Sequence, residues 1–174
     1  NQLKNNCVVS TVMSNIGLTR ALDDLGITHI RTGVGDRQVL AEMQQTGAVM
    51  GGEDSGHMIF LDDQTTGDGL LSALRLITVM AQTGRTLSDL AGVMQVFPQV
   101  LKNVEVDASR PDFMQVPEIA SVIDEVTSNL GDKGRVFVRY SGTQPLLRVM
   151  VEGPDKELTS TACDQICRVI QAHL

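Results

Sequence analysis

Hydrophobic and polar positions in the first half of the chain follow two alternating periods. Cys7 to Val12 (C-V-V-S-T-V) reads as a buried strand, and Ser14-Asn15 supply a cap for the helix that follows. Ile16, Leu18, Ala21, Leu22 and Leu25 recur at helical spacing, and Gly26 ends the run. Ile27 to Arg31 predicts a second strand. Thr32-Gly33-Val34-Gly35-Asp36 turns into a helix from about Arg37 to Gln45, and Ala48 to Gly51 predicts a third strand. Strand–helix–strand–helix–strand implies a parallel sheet, and such sheets bind ligands beyond the carboxyl ends of their strands. Met58 to Leu61 predicts one more strand. Leu70, Leu71, Leu74, Ile77 and Met80 predict a long helix to about Thr83, with Asp68 at its start, and Thr86 to Asp89 open a short helix ending near Met94.

The pattern changes after Phe97-Pro98. Val100 to Val106 predicts a strand, and Val116 to Leu130 an amphipathic helix with Ile119, Val122, Ile123 and Val126 as its stripe. Two strands and a last helix from Asp155 to Leu174 follow, with Leu158, Ala162, Ile166, Val169 and Ile170 expected inward and Cys163 and Cys167 flanking them as core residues. The predicted fold class is an α/β domain with a mainly parallel sheet (1–94), a linker (95–99), and a smaller α+β domain of two helices on an antiparallel sheet (100–174).

The two strands before the last helix carry the first candidate chemistry. Arg135-Val136-Phe137-Val138 leads into Arg139-Tyr140-Ser141-Gly142-Thr143-Gln144-Pro145, and Leu146 to Glu152 returns, which reads as a β-hairpin. With period two, Val136 and Val138 share one face, opposite Phe137 and Arg139; on the return strand Leu147 and Val149 share a face, opposite Leu146 and Arg148. A suitable register brings Arg139 and Arg148 together at the loop mouth. Two guanidiniums, the Ser141 and Thr143 hydroxyls and bare amides at Gly142 make a phosphate cradle. The competing reading is a polar hairpin tip with two solvated arginines.

The second candidate is Gly51-Gly52-Glu53-Asp54-Ser55-Gly56-His57. Glycines admit close approach of a ligand to the backbone, and carboxylate with hydroxyl suits sugar hydroxyls as acceptor and donor. The competing reading is a polar turn between strands. Gly67-Asp68-Gly69 reads as a helix cap rather than a metal loop.

Composition narrows the function. Net charge is −7 and aromatics are 3% of residues, which argues against a nucleic-acid surface. Three cysteines, Cys7, Cys163 and Cys167, form neither a disulfide framework nor a zinc pattern, so reduced, cytoplasmic thiols are expected. The longest apolar stretch, Leu70 to Ala81, is interrupted by Arg75 and is too short to span a bilayer, so no membrane partner is expected. The chain begins at Asn1 rather than Met and enters a strand within a few residues, so a fragment of a larger protein is expected.

The two motifs together resemble the α-D-phosphohexomutase superfamily, and within it the bacterial phosphoglucosamine mutase family. Thr11-Val12-Met13-Ser14-Asn15-Ile16-Gly17-Leu18, Arg31 to Arg37 (R-T-G-V-G-D-R) and Thr65 to Leu71 (T-T-G-D-G-L-L) support the resemblance, which covers nearly the whole chain. It implies four domains around a cleft, with residues to about Met94 forming the third domain, N-terminally truncated, and those from about Val100 the fourth. It implies that Glu53 and Ser55, with His57 beside them, read the sugar, and that Gly35 and Asp36 line the cleft. Arg139, Ser141, Gly142, Thr143, Gln144 and Arg148 would hold the phosphate that is not transferred.

The implied reaction interconverts glucosamine 6-phosphate and glucosamine 1-phosphate through a phosphoserine enzyme and a bisphosphate intermediate. The catalytic serine and the Mg²⁺ loop D-G-D-G-D-R would lie in the missing N-terminal domains, so no catalytic or metal residue is expected here and the fragment alone would not turn over. The chain departs from the family at Tyr140 (usually proline), Gln144 (usually glutamate) and Asp54. A phosphoglucomutase or phosphomannomutase, or a free-standing phosphosugar-binding module, remains an alternative, with a homodimer as an open assembly.

Overall fold

The computed structural model describes residues 3–174. They fold as two units that divide between Val96 and Phe97. The first contains β1 (Cys7–Thr11), α1 (Ile16–Asp24), β2 (Thr28–Thr32), α2 (Asp36–Thr46), β3 (Met50–Glu53), β4 (His57–Phe60), α3 (Gly69–Thr83) and α4 (Leu87–Ala91). Its sheet has the order β2-β1-β3-β4. β1 runs parallel to β2 and β3, and only β4 is antiparallel, as the partner of β3 in a tight hairpin. The mainly parallel sheet expected from the alternating pattern is therefore present, with its helices.

Local chemistry explains the element ends. Asn15 accepts from the Gly17 amide at the start of α1, and Asp68 accepts from the Leu71 amide at the start of α3. The Leu71 and Gln64 hydrogen bonds hold the Asp68 carboxyl below the ordinary carboxylate range. Asp68 is thus a cap, as its position predicted. α4 opens with a reciprocal Thr86–Asp89 capping box.

The core of this unit is small: Cys7, Val9, Val39, Met43, Ala48 and Ile59 are buried together between the sheet and α2. Gly51 belongs to that packing. A Cβ there would stand 2.6 Å from Met43 Sδ and 2.8 Å from the Val9 carbonyl oxygen, so a glycine lets β3 approach α2. The spacing of Leu70, Leu74 and Ile77 on α3 has a different outcome. None of the α3 residues is buried, and Leu70 is 79% exposed. A helical period shows which residues share a face; it does not show that the chain supplies a surface to cover that face.

The second unit contains β5 (Gln99–Glu105), α5 (Pro117–Leu130), β6 (Arg135–Tyr140), β7 (Leu146–Glu152) and α6 (Lys156–His173), with 3-10 turns at Phe113–Gln115 and Gly131–Lys133. Its sheet is antiparallel in the order β5-β7-β6. This is the two-helix, antiparallel arrangement expected. Val104, Leu147, Val149 and Val151 meet Ile119, Val122 and Val126 of α5 and Cys163, Ile166, Cys167 and Ile170 of α6 in one core. Cys163 and Cys167 are free thiols inside it, and burial together with its hydrogen bond to Cys167 pushes the Cys163 thiol up. Leu158, expected inward, is 61% exposed. Its neighbour Thr159 is fully buried, so the inward face of α6 runs through Thr159, Cys163, Ile166 and Ile170, one residue's rotation away from Leu158.

Among the described residues, no helix is long and apolar enough to cross a membrane.

Candidate functional site

In the first unit, loops at the carboxyl ends of parallel strands converge. The β2–α2 connection carries Gly35, whose φ of 125° suits glycine, and Asp36 in the first turn of α2. The β3–β4 hairpin places Glu53 directly opposite His57, and the Ser55 hydroxyl donates to Glu53 Oε1 at 2.8 Å. His57 Nε2 accepts from the Gly67 amide at 2.8 Å and lies 3.9 Å from Asp36 Oδ2. In the neutral ring this acceptor role leaves the proton on Nδ1. Glu53, Ser55, His57 and Asp36, four of the five first-unit residues singled out in the sequence, thus form one polar cluster, and Gly35 shapes its edge. Its groups offer acceptors and donors suited to hydroxyls.

Gly67 was not visible as part of this cluster. A Cβ there would lie 2.2 Å from His57 Cδ2, so the glycine seats the imidazole. No local sequence feature marks a contact ten residues away. Gly67→Ala is expected to displace the ring and break its hydrogen bond at a cost of about 1 kcal/mol. Ring NMR signals of His57 that shift, while His29 and His173 stay in place, would bear this out; unchanged His57 signals would remove the seat from the argument.

In the second unit the register places Arg139 directly across from Arg148. Directly opposed residues share a sheet face, and the valines that alternate with them, Val138 and Val149, face the helices. The predicted juxtaposition is therefore present. Like charges opposed in this way repel. Burial, and then the Arg148 charge, hold the Arg139 guanidinium below its usual range. The Nε–H groups of both arginines are buried and have no hydrogen-bond partner. Arg148 donates to Ser141 Oγ at 3.3 Å, and Arg139 to the Tyr140 carbonyl oxygen at 3.3 Å. Ser141 is buried, whereas Gly142, Thr143 and Gln144 are exposed at the tip. A third arginine of the same strand pair behaves differently: Arg135 pairs with the buried Glu152. Cationic side chains of this hairpin thus have a carboxylate at one end and, among the described residues, none at the loop end.

The glycine at 142 has no conformational requirement in this structure. Its φ is not in the left-handed region, and a Cβ would meet nothing within 4 Å. The remaining physical role is open space over the backbone amides.

Tyr140 stands at the end of β6 with its ring edge-on to Phe113, centroids 5.7 Å apart, and its hydroxyl donates to the Pro111 carbonyl oxygen at 2.5 Å. Burial, then the Asp112 charge, raise its phenol above the ordinary value. It is the chain's single tyrosine, and there is no tryptophan. Ultraviolet titration is expected to give one phenol ionising above about pH 10. Because the folded-state value is raised, this group's contribution to stability is present below that pH and is lost as pH rises through the folded value. A phenol titrating at or below the ordinary value would mean that its hydroxyl is solvated.

Among the described residues, no group of three or more His, Cys, Asp or Glu side chains is placed to hold a metal ion.

The sequence pattern of the family described as "Phosphoglucomutase/phosphomannomutase, alpha/beta/alpha domain III" matches residues 1–97, and that of the "C-terminal domain" of the same family matches 101–169. The chain is 65% identical over 170 residues to the phosphoglucosamine mutase of Desulforapulum autotrophicum, covering 98% of this chain and 37% of that protein. It is 53% identical over 173 residues to that of Syntrophobacter fumaroxidans, covering 99% and 38%. The chain thus spans little more than a third of the length of the curated relatives it matches. Among solved structures, an N-acetylphosphoglucosamine mutase of Aspergillus fumigatus superposes with a TM-score of 0.81 at 20% identity, over 98% of this chain and 39% of the other. An N-acetylglucosamine-phosphate mutase of the α-D-phosphohexomutase superfamily, in its substrate complex, gives 0.76 at 23% identity, over 94% and 38%. At these identities the structures speak for the fold, while the sequence patterns speak for descent: the chain belongs to the phosphoglucomutase/phosphomannomutase family, carrying its domain III and C-terminal domain.

Proposed function

We propose that this chain is the sugar- and phosphate-reading part of a phosphoglucosamine mutase. The whole protein would interconvert glucosamine 6-phosphate and glucosamine 1-phosphate through a phosphoserine enzyme and a bisphosphate intermediate, in the cytoplasm. Glu53, Ser55 and His57, with Gly35 and Asp36, would read the sugar. Arg139, Ser141, Gly142, Thr143, Gln144 and Arg148 would hold the phosphate that is not being transferred. The observation that carries this reading is the Arg139–Arg148 pair: two opposed guanidiniums, each with a buried unpartnered Nε–H and, among the described residues, no carboxylate in an ion pair with it. A phosphate accepts from both, and its charge removes their mutual repulsion.

The catalytic serine and the metal loop belong in this reading to residues outside the 174. One Aspergillus fumigatus mutase structure contains GlcNAc-6P and magnesium. The residues described here do not fit that ion as a cluster, and no step is assigned to it. The names of the 65% and 53% identical relatives favour the amino sugar. The family description also covers glucose and mannose phosphates, and an opposite Glu53 preference would move the assignment there.

Titration of the 174-residue chain with inorganic phosphate, glucosamine 6-phosphate and glucose 6-phosphate, followed by NMR, tests the reading. The expected result is shifts at the Ser141–Thr143 amides with all three ligands, shifts at Glu53–His57 with the sugars only, and tighter binding of the amino sugar. Glu53→Ala should leave phosphate binding intact and lose the amino-sugar preference. Equal loss of inorganic phosphate binding in Glu53→Ala and Arg148→Ala would end the division of labour.

A further inference from the structure

The loop between β6 and β7 has little internal support. Its own backbone bonds near the tip are the Ser141 amide to the Leu146 carbonyl and the Leu146 amide to the Gln144 carbonyl, both 2.8 Å. Apart from the Arg148 bond to Ser141 Oγ, the rest comes from residues 106–113. The Val106 amide donates to the Pro145 carbonyl at 3.1 Å, and an Arg110 guanidinium N–H donates to the Gln144 carbonyl at 2.8 Å. The Tyr140 hydroxyl donates to the Pro111 carbonyl, and its ring rests on Phe113. Tyr140 is packed with the helix-side core, so this support reaches the loop from the face opposite Arg139 and Arg148.

Arg110 combines two features. Its φ is 47°, a left-handed conformation that disfavours a side chain. It also has no carboxylate partner among the described residues, although Asp107 and Asp112 are close in sequence. Its backbone is fixed by a turn in which its own amide bonds the Asp107 carbonyl and Asp107 Oδ1 accepts from the Ser109 amide. A strained residue whose guanidinium is spent on a neutral carbonyl of the neighbouring loop is placed for that loop's sake.

We propose that Arg110 and Tyr140 are positioning residues, which hold the Ser141–Pro145 loop from behind in the conformation that receives a phosphate on its front face. Neither touches the anion. Arg110 fixes the loop through the Gln144 carbonyl, and Tyr140 fixes the loop's first residue through the Pro111 carbonyl. The proposal rests on the phosphate reading of Arg139 and Arg148.

The test is the affinity of the 174-residue chain for inorganic phosphate, by NMR titration, set against its melting temperature. Arg110→Gly is the informative variant, since glycine relieves the left-handed backbone while deleting the guanidinium. A merely structural role moves stability and affinity together. The expected result is a split: melting temperature unchanged or higher, with phosphate affinity reduced about five- to tenfold, the scale of one hydrogen bond. Arg110→Lys, whose ammonium nearly matches the reach of the guanidinium to the Gln144 carbonyl, should recover most of that loss. Tyr140→Phe, which keeps the ring against Phe113, should weaken binding about threefold and speed hydrogen exchange at the Ser141 and Leu146 amides. Wild-type affinity in Arg110→Gly overturns the proposal while leaving the phosphate reading standing. Weaker binding in Arg110→Gly with unchanged hydrogen exchange at the Ser141 and Leu146 amides makes Arg110 an electrostatic contributor and overturns positioning. Absence of phosphate binding by the wild-type chain overturns the phosphate reading and this proposal with it.

Discussion

Arg148→Ala should weaken inorganic phosphate binding by about 1.5–3 kcal/mol, the scale of a charge-assisted hydrogen bond. That is roughly tenfold to more than a hundredfold in dissociation constant. The loss should be larger than a single surface charge would give, because Arg148 acts in three ways. It supplies its own N–H groups, of which the buried Nε has no other partner. It donates to Ser141 Oγ and so orients a second ligand group. It also faces Arg139, so its removal leaves one guanidinium to face the anion. Arg148→Lys keeps the charge and loses the fork, and should fall between the two. In the absence of ligand Arg148→Ala should cost little stability or even raise it, since it ends the repulsion between opposed cations. Calorimetric titration and thermal melting of wild type, Arg148→Lys and Arg148→Ala measure both. Unchanged affinity in Arg148→Ala would reduce the pair to solvated arginines on a hairpin tip.

Glu152→Ala is expected to have the largest effect on folding, about 3 kcal/mol, because breaking a buried ion pair strands the surviving charge. Glu152 is fully buried and pairs with Arg135, whose side chain is 17% exposed. That partial access to water places the expected cost at the lower end of the range for such pairs. For a unit of this size the change corresponds to a fall of roughly 15 °C in its melting step. Glu152→Gln, which can still accept from Arg135, should cost less. A loss below about 1 kcal/mol would show that Arg135 reaches solvent freely enough to do without its partner. The contrast with Arg148 is the point of the comparison: at one end of the hairpin a cation is removed to the benefit of the bare fold, at the other a carboxylate is removed to its ruin.

Both element types and the faces of the hairpin strands were legible because each follows from a local period, whereas the register remained conditional. Alternation in Arg135–Tyr140 and Leu146–Glu152 required valines on one face and arginines on the other, and the register places Arg139 opposite Arg148. The clustering of Glu53, Ser55 and His57 was legible for the same reason, as neighbours in a tight hairpin. What was illegible depends on partners distant in sequence. Gly51 looked like a glycine that admits a ligand, but Met43 and the Val9 backbone are what require it. The spacing of Leu70, Leu74 and Ile77 marked a face without showing whether anything in the chain covers it. The contact of Gly67 with His57 and the reach of Arg110 to Gln144 have no local signature at all. The contacts of Tyr140 with Pro111 and Phe113 likewise join residues some thirty positions apart.

The alternation of the hairpin has a consequence for which changes the chain tolerates. Within 135–140 and 146–152, residues packed on the helices alternate along the same strand with residues of the opposite face, among them the two arginines proposed to meet the anion. A point substitution therefore touches one task or the other. A single-codon deletion in either strand touches both, since a slip of one residue turns every later side chain to the opposite face. It would drive a guanidinium toward α5 and α6 and expose valines where the arginines stood. A scan of in-frame deletions across this region should find the strands intolerant, at positions where many individual replacements survive.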